Sequence, residues 1–209
     1  MEIALKHRHE TLTFGQLRRR SETFAWRLIR TEQIGPQDRV ALVSKNRTDW
    51  DVALWGVLLA GAVPLLIDPE RGPQGVIAHL EATDARALIL ADDYATGPDR
   101  EELTSFAETK GLRVIPLTGR AQGEDELHEP QDLGAIGQRI EPDDTAVVLC
   151  TSGTTGDPRE VELTHANLIA NLEGSLRRVD LGPRDVLGHI LPPHHSFGLT
   201  VGKMLPLLA

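Results

Sequence analysis

The chain has 209 residues, of which 40% are apolar and 25% charged. That is enough apolar material for a buried core in one or two domains, and it excludes disorder, collagen-like sequence and small disulfide-dependent scaffolds. A formal net charge of −9 is the opposite of a phosphate-backbone clamp, so no nucleic-acid partner is expected. The single cysteine, Cys150, allows neither an internal bridge nor a thiolate metal cluster and fits a reducing compartment. The N-terminus MEIALKHRHE lacks the apolar stretch and cleavage site of a secretory signal, so the expected location is cytoplasmic.

The first predicted element is an amphipathic helix over 13–30, with Phe14, Leu17, Phe24, Ala25, Leu28 and Ile29 on one stripe. Thr13 and Gln16 have capping-box spacing, and Gly35-Pro36 supplies a stop. The run 39–44 (RVALVS) reads as a strand covered on both faces, as in parallel sheets. A helix capped by Asp49 then runs to Ala60, with Gly61 ending it in a left-handed conformation and a strand following over 63–67. Together these explain the apolar run 52–67, whose 16 residues fall short of the roughly 20 that a membrane span needs. No transmembrane segment is expected.

Helices around 74–82 and 101–109 alternate with strands at 87–90 and 113–117, the pattern of βαβ units with right-handed crossovers. The fold class expected is therefore α/β, with a largely parallel sheet flanked by helices. Between 118 and 143 the periodicity fades into a surface connection between two α/β parts. A buried strand follows at 146–150, then a helix capped by Thr164 and a strand over 186–191.

The strand at 146–150 runs directly into Thr151-Ser152-Gly153-Thr154-Thr155-Gly156-Asp157-Pro158-Arg159. Four hydroxyls and two glycines within six positions offer O–H donors and freely oriented N–H groups to a ligand rich in acceptor oxygens. Gly153 and Gly156 permit close backbone approach, Pro158 fixes the turn, and Arg159 adds a permanent charge suited to a phosphoryl group. A polar surface turn has the same composition. The Walker spacing is absent, which excludes an ordinary P-loop.

The stretch LCTSGTTGDPREVELTHANL closely resembles the phosphate loop of the adenylate-forming superfamily, which includes acyl-CoA synthetases, luciferases and peptide-synthetase adenylation domains. TLTFGQL, GPQDRVALVSKN and WGVLLAGAVPLLIDPE resemble its earlier landmarks, in order. LPPHHSFGLTVGKMLPLLA resembles the segment in which a histidine precedes an aromatic–glycine pair near the acyl pocket, and His195 takes that position. The resemblance spans essentially the whole chain. It implies the N-terminal part of an AMP-binding large domain, with Thr151, Ser152, Gly153, Thr154, Thr155, Gly156 and Arg159 cradling ATP and His195 beside a carboxylic acid. Without the resemblance, His194 and His195 read as loop residues.

The implied reaction joins a carboxylic acid, in the first instance a fatty acid, to ATP as an acyl-adenylate, and then to the thiol of CoA or of a carrier protein, with Mg2+ as companion ion. Two departures stand out. Arg159 occupies a position usually held by lysine, and Glu160 occupies one usually held by glycine, where a carboxylate is expected to repel the triphosphate. The apolar run 197–208 ends the sequence without a cap. In the resembled family the adenine and magnesium segments and the mobile C-terminal domain lie beyond that point. A catalytically incomplete N-terminal fragment is therefore expected, and no catalytic or metal-ligating residue is assigned within it. A nucleotide-binding or scaffold fragment without ligase activity and part of an amino-acid adenylation domain remain alternatives.

Overall fold

The computed structural model describes residues 2–92, 94, 96–118, 133–137, 139–152 and 158–208. The chain opens with a small antiparallel hairpin, β1 (Ile3–His7) and β2 (Glu10–Thr13), which leads straight into helix α1 (Phe14–Arg30). Thr13 caps α1 as its spacing predicts. Its hydroxyl accepts the Gln16 N–H at 3.2 Å, and the Gln16 side chain accepts the Thr13 N–H at 2.9 Å.

The main sheet contains β3 (Arg39–Val43), β4 (Val63–Ile67), β5 (Ala85–Ala91), β6 (Arg113–Leu117), β7 (Thr145–Ser152) and β8 (Pro158–Thr164). Its spatial order is β6-β5-β3-β4-β7-β8. Every neighbouring pair is parallel except β7 with β8. The expected α/β architecture is thus present. Helix α2 (Thr48–Leu59) links β3 to β4, α3 (Gly72–Ala82) links β4 to β5, and α4 (Pro98–Thr109) links β5 to β6. The first link moves one way across the sheet and the other two move back, so right-handed crossovers put α2 on one face and α3 and α4 on the other. Accordingly α1 packs on α2, and α3 on α4.

Burial explains the apolar run at 52–67. Helix α2 is covered by α1 as well as by the sheet, and all five residues of β4 are buried. A Cβ on Gly56 would lie 2.7 Å from the Phe24 ring and 3.1 Å from the Ser21 carbonyl oxygen, so the α1–α2 crossing requires glycine there. Gly61 follows α2 with φ of 73°. Among the described residues no helix is long and apolar enough to cross a membrane.

Several expectations are corrected. Asp49 is not the cap of α2. The cap position is Arg47, and the Asp49 carboxylate instead accepts from the Arg47 guanidinium at 3.0 Å. Strand β8 and the β1–β2 hairpin were not expected. Residues 186–191 form no strand, because no strand among the described residues pairs with them, and Val186 and Ile190 are 95% and 93% exposed. The apolar run 197–208 has mixed helical geometry. It is a wide π-helical segment (Gly198–Met204) followed by a 3-10 turn (Leu205–Leu207), in keeping with two glycines and Pro206 in a short span. Of the connection expected over 118–143, residues 119–132 and 138 lie outside the described residues, and the remainder includes the single turn α5 (Gly134–Gly137).

Helix α6 (His165–Leu176) begins at Thr164, whose hydroxyl accepts the Asn167 N–H at 3.1 Å, a second capping box. Replacing either cap, Thr13→Ala or Thr164→Ala, is expected to lower unfolding free energy by about 1 kcal/mol in urea titrations. A loss below about 0.3 kcal/mol at both positions would contradict the capping account.

Candidate functional site

The site begins with β7. Ala146 to Cys150 are all buried, and β7 runs parallel to β4 through Leu65↔Val148 and Leu66↔Leu149. Its carboxyl end therefore emerges on the same edge as those of β3, β4 and β5, where open α/β sheets bind their ligands. There the chain reverses into β8, with Thr151 opposite Arg159 and Ser152 opposite Pro158. The structure thus brings the backbones of Thr151, Ser152 and Arg159 together at the tip of a hairpin. Gly153, Thr154, Thr155, Gly156 and Asp157 complete the predicted phosphate-binding run and lie outside the described residues, as do the side chains of Thr151 and Ser152.

Neighbouring strands deliver further polar groups to this edge. Asp68 directly follows β4, whose neighbour in the sheet is β7. Asp68 caps a 3-10 turn (Pro69–Arg71) by accepting the Glu70 N–H at 2.8 Å, and its carboxylate lies 3.5 Å from Nε2 of His194. Past β3, the Arg47 guanidinium donates to Asp49 and, at 2.8 Å, to Asp92 beyond β5. Asn46 meets His189 at 3.5 Å. Sequence reasoning missed Asn46, Asp68 and Asp92, although Asp68 and Asp92 directly follow parallel strands and Asn46 lies three residues past one, and that position was the available signal.

His195, the predicted acyl-pocket residue, is exposed, whereas His194 is buried with only 6% of its surface accessible. The two rings meet edge to face, 4.4 Å between centroids. Burial lowers the His194 pKa against the opposing pull of Asp68, and burial together with the Lys203 charge lowers that of His189. Both imidazoles are thereby biased toward the neutral form. Their loop is held at close range: a Cβ on Gly198 would fall 2.1 Å from the Pro192 carbonyl oxygen, so the glycine after Phe197 is a steric necessity. The following π-helical segment is tied to α2 by a buried ion pair, Lys203 Nζ to Asp51 Oδ2 at 2.7 Å. Burial raises the Asp51 pKa, and Lys203 opposes that rise.

Glu160 stands two residues from the hairpin tip, opposite Cys150. The carboxylate expected to repel phosphate is ion-paired, its Oε2 accepting from Arg39 Nη1 at 2.7 Å. Cys150 is buried, and its thiol is pushed up to about 12, mostly by burial and then by the Glu160 charge. Among the described residues no group of three or more His, Cys, Asp or Glu side chains could hold a metal ion.

A profile of the AMP-binding enzyme family matches residues 2–209. The chain belongs to that family. It is 28% identical to a long-chain-fatty-acid–CoA ligase of Escherichia coli O6:H1, over 94% of this chain and 40% of the relative. It is 30% identical to a mitochondrial malonate–CoA ligase of Bos taurus, over 82% of this chain and 28% of the relative. The chain thus spans about two fifths or less of the length of these relatives. The ATP-bound structure of MatB from Rhodopseudomonas palustris superimposes with a TM-score of 0.84 at 25% identity, covering 100% of this chain and 41% of that one. The AMP complex of O-succinylbenzoate coenzyme A synthetase from Bacillus subtilis, 23% identical, shares the fold with a TM-score of 0.79, covering 99% of this chain and 50% of that one.

A thiol with so high a pKa presents almost no thiolate at pH 8. Folded protein should therefore react with a disulfide reagent at least about a hundredfold more slowly than protein in urea. Equal rates would contradict the burial of Cys150.

Proposed function

We propose that this chain is the phosphate-binding, N-terminal part of the large domain of an ATP-dependent carboxylic acid ligase of the acyl-CoA synthetase type. The observation that carries the reading is the hydroxyl- and glycine-rich run Thr151–Arg159 at the carboxyl end of β7, in a chain matched by the AMP-binding family over 2–209. The ligand is ATP, in keeping with the ATP-bound MatB likeness. A carboxylate oxygen attacks the α-phosphorus, the bond from that phosphorus to the bridging oxygen breaks, and pyrophosphate leaves with the electron pair. The acyl-adenylate then gives its acyl group to the thiol of CoA or of a carrier protein, releasing AMP.

In this scheme the chain's own contribution is charge management. The hydroxyls of Thr151, Ser152, Thr154 and Thr155 and the amides of Gly153 and Gly156 donate to phosphate oxygens. Arg159 meets the charge that grows on pyrophosphate as it departs. Donors fixed before the reaction stabilise that charge without reorganising as it forms. Magnesium is implied by the resemblance, and among the described residues no group of three or more His, Cys, Asp or Glu side chains could hold it. His195 faces the acid, with His194 and Asp68 behind it.

The substrate proposed is a fatty acid, supported by the long-chain ligase relative and by the apolar Phe197 beside the histidines, 60% exposed. Malonate and 2-succinylbenzoate ligases among the relatives make dicarboxylic acids the competing outcome. Steps served by the remaining three fifths of such relatives, including thiol transfer, are assigned to the whole enzyme, which we place in the cytoplasm.

Calorimetric titration of the chain with ATP should give saturable binding, weakened about tenfold by Arg159→Ala through loss of charge-assisted hydrogen bonds. No heat, or an unchanged affinity in the variant, would overturn the assignment. In the full-length protein, palmitate should support ATP–pyrophosphate exchange and malonate should not. The reverse would replace the fatty acid with a dicarboxylic acid.

A further inference from the structure

The guanidinium of Arg39, on β3, spans the sheet to β8. Nη1 donates to Glu160 Oε2 at 2.7 Å, and Nη2 donates to Glu162 Oε1. Glu162 is itself held by β7, its Oε2 accepting from the Thr145 hydroxyl at 3.1 Å. Glu160 and Glu162 are two apart on one strand and so share a face, while Arg159 and Val161 project from the other. Each of the two paired side chains is only about a quarter exposed, 26% for Arg39 and 22% for Glu160. The second Glu160 oxygen, Oε1, is buried without a hydrogen-bond partner. A carboxylate so placed depends heavily on its one cation.

Its location makes that dependence functional. Glu160 lies two residues, about 7 Å of strand, from the Ser152↔Pro158 pair at the hairpin tip. That backbone spacing is comparable to the Debye length, about 8 Å at physiological salt. A half-buried charge is screened less than that figure suggests. The field of Glu160 already reaches the adjacent strand, where it raises the Cys150 thiol while Arg39 and Arg71 lower it.

Resting on the phosphate-binding reading above, we propose that Arg39 is a positioning residue for the nucleotide. It neutralises and restrains Glu160, so that an acidic side chain can stand at the base of the phosphate hairpin without repelling its ligand. It also ties the returning strand β8 to β3 across the sheet. Arg39 touches no phosphate and acts through Glu160.

The test is a double-mutant cycle read by ATP titration of the chain in magnesium-containing buffer. Arg39→Met should weaken ATP about five- to tenfold by unmasking a charge that partial burial leaves poorly screened. Glu160→Gln alone should stay within about twofold of the parent, and the double variant Arg39→Met/Glu160→Gln should recover to within about twofold. A purely structural role for Arg39 predicts no recovery, because removing the carboxylate's charge cannot rebuild a lost contact. Unchanged affinity in Arg39→Met, or a double variant as weak as Arg39→Met, would overturn the proposal. If Arg39→Met fails to fold, as judged by circular dichroism, the double variant decides alone: affinity within about twofold of the parent supports the proposal, and a loss beyond about fivefold overturns it. Failure of the parent chain to bind ATP at all would instead refute the phosphate-binding reading.

Discussion

Burial of β7 on both faces is the constraint on which the rest of the structure depends. From Ala146 to Cys150 the strand carries only side chains that must leave water, so it has to lie inside the sheet, between β4 and β8. Once it is there, its direction, parallel to β4, decides where the next residues emerge. They emerge at the edge already supplied with Asn46, Asp68 and Asp92 by the neighbouring strands. A sequence of hydroxyls and glycines that would be an ordinary turn elsewhere is thus delivered to the one edge of an α/β sheet where strand ends converge on a ligand.

Charge follows the same economy. The chain is acidic overall, with a net charge of −9, yet several acids near the site are met by a cation: Asp49 and Asp92 by Arg47, Glu160 and Glu162 by Arg39, and Asp51 by Lys203. Buried pairs add little net stability, because desolvation offsets their attraction, but breaking one leaves a costly uncompensated charge. Their consequence here is geometric. Arg47 joins the segments after β3 and β5, Arg39 joins β3 to β8, and Lys203 joins the last helical segment to α2.

Much of this was legible in the sequence because hydrophobic period and caps are local signals. The runs at 39–43, 63–67 and 113–117 read as strands because they are apolar apart from a leading Arg39 or Arg113, and Thr13 and Thr164 announce their helices through the residue three places on. What was not legible depends on partners far along the chain. Strand β8 carries two glutamates on one face, and nothing local to PREVELT reveals that Arg39, more than a hundred residues earlier, receives them. The reverse error at 186–191 has the same origin. An apolar, extended segment is a strand only when another strand lies beside it, and Val186 and Ile190 have none among the described residues. At the site, the motif pointed to Thr151–Arg159 and to His195, and the histidine that is buried is its neighbour His194, a distinction that residue type alone does not make.

The central claim is that the tip of the β7–β8 hairpin holds the phosphates of a nucleotide. Backbone amide chemical shifts of the isotope-labelled chain, followed during addition of ATP, test it residue by residue. The account predicts the largest shifts at 151–159, with smaller ones at Asp68 and the His194–His195 pair. Saturable shifts centred anywhere else, with 151–159 unmoved, would contradict it.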